Sequence, residues 1–369
     1  LNAYRFSIEW ARIEPEQGVY DENEIEHYRK VLTCCRENGV EPIVTMMHFT
    51  SPKWLIENGG WENEATVEAF KNYCQYVTEQ LGDLMHYVCT INEANMGIQV
   101  AAISARYRAQ MMAKMQQGGA EEKKDLEGTA QVGMNFNDMM ANMQKQKEEN
   151  VEIFGTDTLQ TFVSARTPEG DMLVIRAHQA AKAAMKAVKP ELQIGLTLSL
   201  HDIQAQEGGE ETAAKEWVDE FTHYVPYIKE DDFFGLQNYS RSLIGPNGIL
   251  PVPEGAEITQ MDYEYYPEGL EHVIRRVYEE MPMPIMVTEN GIATADDTRR
   301  VAYIQTAMKG VENCIQDGIP VKGYMYWSMM DNFEWQKGFG MTFGLISVDR
   351  TTQTRTAKPS LAVLGNYTK

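Results

Sequence analysis

The sequence predicts an α/β protein of the (β/α)8 TIM-barrel type, with about seven of the eight strands recognisable in its 369 residues. Three observations carry this. Short apolar runs alternate with amphipathic helical stretches, the pattern of repeated βα units. The runs are apolar throughout rather than at alternate positions, as in parallel strands covered on both faces. Most of them also end near a polar side chain, which in a barrel lies at the one mouth where catalysis takes place.

The elements follow in order. Ala3–Ile8 is the first run. A helix is expected over Asp21–Asn38, with Ile25, Tyr28, Leu32 and Cys35 on one face and Gly39 as its C-terminal cap. Asp21 and Glu24 have the spacing of a capping box. The strand Pro42–His48 comes next, then a helix carrying Val67, Phe70, Tyr73, Val77 and Leu81 in step, then the strand Tyr87–Glu93. Helices over Met172–Val188, Glu210–Ile228, Pro267–Met281 and Asp297–Gln316 lead to strands Ile194–Leu200, Asp232–Tyr239, Ile285–Asn290 and Val321–Ser328.

The whole chain, 1–369, reads as one catalytic barrel domain. Residues 96–160 break the rhythm with Met-, Gln- and Lys-rich helical stretches around a Gly118–Gly128 break. This insertion directly follows Glu93, so it is expected to overhang the active-site face.

A net charge of −21 sets the protein against nucleic acid and anionic membranes, which would repel it. No run approaches the ~20 apolar residues of a membrane span. The five cysteines have no metal-ligand spacing, and free thiols in a reducing, cytoplasmic setting are expected. A homo-oligomer is compatible with all of this. No zinc, phosphate-loop or dinucleotide motif is present, so no metal and no cofactor is expected.

The polar groups near the strand ends are Arg5, His48, Asn92, Glu93, Tyr239, Glu289, Asn290 and Trp327. Two glutamates in such a set suggest glycoside hydrolysis, in which one carboxyl protonates the leaving oxygen and the other attacks the anomeric carbon. A retaining pair holds its carboxyls ~5–5.5 Å apart. Close carboxyls do not readily both ionise, so one becomes the acid. Arg5 would keep its neighbour ionised, and Tyr239 would position it. Trp54, Trp327 and Trp335 offer flat faces to a sugar, while His48, Asn92 and Glu334 offer directional partners to its hydroxyls. The substrate is then a small β-glycoside or short oligosaccharide. The alternative is a barrel that binds a ligand or partner without turnover.

At these residues the chain resembles glycoside hydrolase family 1. Tyr4–Pro15 (YRFSIEWARIEP) resembles the family's second-strand signature, and Thr90–Ala94 (TINEA) its acid/base motif, with Ala94 in place of proline. Val287–Gly291 (VTENG) resembles the nucleophile motif, and Trp327–Trp335 (WSMMDNFEW) the last strand and loop. The resemblance implies Glu93 as acid/base and Glu289 as nucleophile, the latter supported by Arg5 and Tyr239. It implies that Asn92 holds the sugar 2-hydroxyl, that His48, Glu334 and Trp335 bind other hydroxyls, and that Trp327 floors the subsite. A carboxylate at Glu334 favours unphosphorylated sugars over the family's 6-phospho branch. Gln237 and Asn238 stand where many relatives carry Asn-Tyr. The family's first strand has no counterpart here, which leaves an edge between the second and eighth strands for the insertion or a partner chain to cover.

Overall fold

The computed structural model describes residues 1–116 and 136–368. In chain order the first half comprises β1 (Ala3–Ser7), α1 (Trp10–Ile13), α2 (Glu22–Glu37), β2 (Glu41–Met47), α3 (Lys53–Glu57), α4 (Ala65–Leu81), β3 (Tyr87–Ile91), α5 (Met96–Gln116), α6 (Phe136–Phe154) and α7 (Pro168–Val188). Then come β4 (Gln193–Gly195), β5 (Thr197–Ser199), β6 (Asp202–Ala205), α8 (Glu210–Glu220), α9 (Val225–Ile228), β7 (Phe234–Gln237), β8 (Arg241–Gly245) and β9 (Gly248–Ile249). The last part holds α10 (Gly269–Glu280), β10 (Ile285–Asn290), α11 (Asp297–Gln316), β11 (Val321–Tyr326), β12 (Ile346–Val348), β13 (Arg355–Ala357) and α12 (Pro359–Gly365).

The barrel strands are parallel. β1, β2, β3 and β4 form one four-stranded sheet, and β5, β7, β10 and β11 the other. Only Leu196 separates β4 from β5, so one interrupted strand passes from the first sheet to the second. Seven strands therefore follow one another in space in their chain order. Among the described residues no ladder joins β1 to β11. Burial follows from that. Every residue of β10 and nearly all of β2 and β3 are buried, whereas β1 is only partly buried and β11 nearly so.

The helices form where apolar spacing and caps agree. Asp21 caps α2 by accepting from the Asn23 amide at 2.8 Å. The expected reciprocal partner, Glu24, instead pairs with Arg12, so the cap is one-sided. Gly39 closes the helix at φ +66°, and its neighbour Val40 donates back to the Cys35 carbonyl. On α4, Phe70, Tyr73, Val77 and Leu81 are fully buried. Burial of each such side chain is worth roughly 1.5–3 kcal/mol. The Tyr73 hydroxyl bonds the carbonyls of Ile8 and Met46, tying the ends of β1 and β2 to α4.

Two details differ from the sequence expectations. The single helix expected over Glu210–Ile228 is broken at Phe221, which leaves the helical region (φ −136°) and buries its ring against Trp217 and Phe234. A small additional sheet, β6–β8–β9, forms from mixed polar segments that show no strand pattern. In the insertion, α5 packs on α7 and α8, with Arg106 paired to Glu216. The Gly118–Gly128 break lies outside the described residues. No described helix is long and apolar enough to cross a membrane.

Candidate active site

The strand ends deliver one pocket, spanning about 320 Å³ and lined by His48, Phe49, Asn92, Glu93, Tyr239, Glu289, Trp327, Glu334, Trp335 and Phe343. Glu289 belongs to β10; Asn92 and Glu93 follow β3, Tyr239 follows β7 and Trp327 follows β11. Glu334 and Trp335 come from the loop after β11, folded back on itself by the Gly338 amide bonded to the Glu334 carbonyl and the reverse bond. Arg5, on β1, lies beside this pocket with its guanidinium turned to Glu289.

Glu289 is held from two sides. Arg5 Nη1 donates to Oε1 at 2.7 Å, and the Tyr239 hydroxyl donates to Oε2 at 2.6 Å. Both side chains of the ion pair are only 6% exposed, so the carboxylate faces the guanidinium rather than water. Glu93 has the opposite environment. It is 1% exposed, and burial, followed by the Glu289 charge, pushes its carboxyl well above the ordinary range, against the opposing pull of Arg5. Ser199 gives it weak support, and Oε2 has no hydrogen bond of normal geometry. The two carboxyls thus meet opposite surroundings: Glu289 faces two donors, while burial favours the protonated form of Glu93.

Glu93 sits at φ +45°, a left-handed conformation that costs a non-glycine residue roughly 1–2 kcal/mol. Its backbone is clamped by neighbours: its own amide donates to Thr197 Oγ1 at 2.9 Å, and the Ala94 amide to the Thr197 carbonyl at 2.9 Å. Phe49 and Trp335, which also line the pocket, share the positive φ. Such strain concentrates where surrounding structure enforces a functional geometry.

The hydroxyl-binding candidates are equally defined. Burial and the Arg5 charge push His48 down to about 3, so its imidazole is neutral. Asn92 Oδ1 accepts from Arg5 Nη2 at 2.5 Å and from Gln237 Nε2 at 2.8 Å, which leaves Nδ2 beside His48 Nε2. Burial and then the Glu289 charge push Glu334 up to about 7, offset by a hydrogen bond with Trp327. The His48 ring is stacked with Trp327 and Trp335 at centroid distances of 5.7 and 6.1 Å, giving the pocket an aromatic wall.

Two expected contributors point elsewhere. Trp54 does not line the pocket: its indole donates to the Glu14 carbonyl at 2.9 Å and packs edge-on to Trp10. Asn290 bridges the Asn238 carbonyl, Tyr303 and Tyr324, joining β10 to its neighbours. Phe49 and Thr197 gain roles that no sequence pattern marks, although Phe49 directly follows His48; Phe343 and Gln237, the latter noted above where many relatives carry Asn, join them. Gly291 of the nucleophile motif is required for space, since a Cβ there would lie 2.0 Å from the Trp327 carbonyl oxygen. Gly291→Ala should displace Trp327, lower the melting temperature by several degrees and weaken binding of a monosaccharide inhibitor; calorimetry and titration check this. Among the described residues, no group of three His, Cys, Asp or Glu side chains is arranged for a metal ion.

Comparison with known proteins gives this geometry its class. The glycosyl hydrolase family 1 model matches residues 1–366. The chain belongs to glycosyl hydrolase family 1. It is similar to a β-glucosidase of Agrobacterium sp. at 27% identity, over 98% of this chain and 79% of that protein. It is also similar to a 6-phospho-β-galactosidase of Lacticaseibacillus casei at 26%, over 96% and 82%. The solved structure of the β-glycosidase BGL167 superposes with a TM-score of 0.83 at 42% identity, covering 99% of this chain and 82% of that one. The enzyme is a β-glycosidase built on the family's barrel.

Proposed function

We propose that this β-glycosidase hydrolyses β-linked, unphosphorylated glycosides with retention of configuration. The observation that carries the reading is the contrast between the two glutamates: Glu289 is doubly held as an anion, and Glu93 is buried as an acid. A Glu289 carboxylate oxygen attacks the anomeric carbon as the C–O bond to the leaving group breaks, and Glu93 gives its proton to the departing oxygen. Glu93 then takes a proton from water, whose oxygen displaces Glu289 from the glycosyl–enzyme ester. Asn92, His48, Glu334, Trp327 and Trp335 hold the sugar. Residues 1–369 act as one catalytic domain. The free cysteines suit a reducing compartment, and we place the enzyme in the cytoplasm.

The test is stereochemical. Proton NMR of nitrophenyl β-glycoside hydrolysis should show the β-anomer first, before mutarotation; first appearance of the α-anomer sinks the retaining assignment. The relatives include both plain and 6-phospho enzymes, so substrate charge rests on Glu334 alone. A buried carboxyl that titrates at about 7 disfavours a phosphate dianion beside it. Nitrophenyl β-glycosides should therefore exceed their 6-phosphates in kcat/KM by at least ~10-fold at pH 7.5, a ratio expected from one like-charge contact of a few kcal/mol.

A further inference from the structure

Two donors converge on a single oxygen beneath the pocket. Arg5 Nη2 lies 2.5 Å from Asn92 Oδ1, and Gln237 Nε2 lies 2.8 Å from the same atom. Their chemistry removes the usual ambiguity of amide orientation. A guanidinium only donates, so the Asn92 atom facing it must be the carbonyl oxygen. The Gln237 atom facing that oxygen must then be the amide nitrogen. Gln237 Oε1 is consequently turned away, buried and without a hydrogen-bond partner among the described residues. An unpaired buried acceptor is unfavourable, so this arrangement is kept at a cost to the fold.

We propose that Gln237 is a positioning residue that, with Arg5, locks the Asn92 amide so that Nδ2 faces the substrate's 2-hydroxyl. This rests on the functional reading above. Gln237 itself does not line the pocket, whereas Asn92 does. It lies on β7, separated from β3 by the β4/β5 strand, and in register with Glu289 of β10 and Ser199 of β5. The side chain must therefore reach across the barrel interior, and a residue one methylene shorter would fall short by about 1.5 Å. With only Arg5 holding Oδ1, Asn92 could rotate about its terminal torsion, which is broad and roughly two-fold. Arg5 alone sets which amide atom faces it, and Gln237, as a second donor to the same oxygen, narrows the swing of the amide plane and so the aim of Nδ2.

The experiment compares Gln237→Met, near-isosteric but without a donor, with Gln237→Asn, which keeps the donor on a shorter stem. Each is measured on a nitrophenyl β-glucoside and its 2-deoxy analogue. Loss of about tenfold in kcat/KM is expected on the 2-hydroxy substrate and less than about twofold on the 2-deoxy one, the scale of one buried hydrogen bond. In an Asn92→Ala background, Gln237→Met should cost nothing further, because the two act as one unit. Equal losses on both substrates, or losses that add to those of Asn92→Ala, overturn the proposal. Affinities for 1-deoxynojirimycin and fagomine, which differ by the hydroxyl at C2, give a second readout that needs no turnover. A wild type that turns over nothing refutes the functional reading, while this inhibitor pair still decides Gln237: wild-type indifference to the C2 hydroxyl, or discrimination unchanged in both variants, overturns it. Should Gln237→Met fail to fold, Gln237→Asn supplies the same comparison.

Discussion

Glu289→Ala loses turnover of aryl β-glycosides by a factor on the order of 10⁴ or more, and azide restores part of it as the α-glycosyl azide. The loss is large because, on the proposed mechanism, no other group lining the pocket can take the position from which Glu289 would attack. Arg5 and Tyr239 aim their donors at this carboxylate, so they stabilise the nucleophile without replacing it. Removing the carboxyl also leaves the Arg5 guanidinium buried without its counter-charge. That costs stability on the order of 3–5 kcal/mol, so the variant should melt well below the wild type. A small anion fits the vacated space and its charge answers Arg5, which is why azide both rescues and stabilises. Product configuration provides the check. A β-configured azide from this variant, or activity within tenfold of the wild type, would rule out Glu289 as the nucleophile.

Glu93→Gln separates substrates by leaving group. Glycosides with poor leaving groups, such as alkyl glycosides, should lose about 10²–10⁴-fold in kcat/KM, because the departing alkoxide no longer receives a proton. A dinitrophenyl glycoside, whose leaving group needs little protonation, should lose far less in that first step. Its overall turnover then stalls at deglycosylation, where Glu93 would serve as base. The pH profile tests the same assignment with a definite sign. Burial, and then the Glu289 charge, push the Glu93 carboxyl well above the ordinary range, so its proton is held to higher pH than that of an exposed glutamate and is lost as pH rises further. Wild-type kcat/KM should accordingly fall on the alkaline side, and Glu93→Gln should flatten that limb. Glu334 titrates nearby, at about 7, so the limb must persist in Glu334→Gln if it belongs to Glu93. A limb that vanishes with Glu334 instead transfers the role.

Much of this enzyme was legible in the sequence, for identifiable reasons. Strands covered on both faces are apolar throughout, so runs such as Pro42–His48 and Ile285–Asn290 announce themselves and place their last residues at one mouth. The helix at Asp21 carried its own cap and stop. What was not legible depended on partners distant in sequence. Trp54 on α3 and Trp335 in the loop after β11 both lie beyond strand ends, and only packing shows that one bonds the Glu14 carbonyl while the other faces His48. Asn290 is adjacent to Glu289 yet points away from the pocket, because alternate strand residues face opposite sides. The break at Phe221 and the sheet β6–β8–β9 arise where burial and pairing override weak local preference.

The sequence by itself determined the residue types and their order: seven parallel strands, two glutamates at strand ends, and an aromatic, carboxylate-bearing loop after the last strand. Those are short-range properties, set by apolar continuity and by motifs a few residues long. Only the tertiary structure decided which glutamate is paired with a cation and which is buried with its carboxyl pushed up. That choice depends on Arg5 and Tyr239, 284 and 50 residues from Glu289, and on the depth at which Glu93 is buried. It likewise decided the orientation of Asn92, through Gln237, 145 residues away. Ionisation and amide orientation are set by what lies within a few ångströms in space, and folding alone brings those groups together.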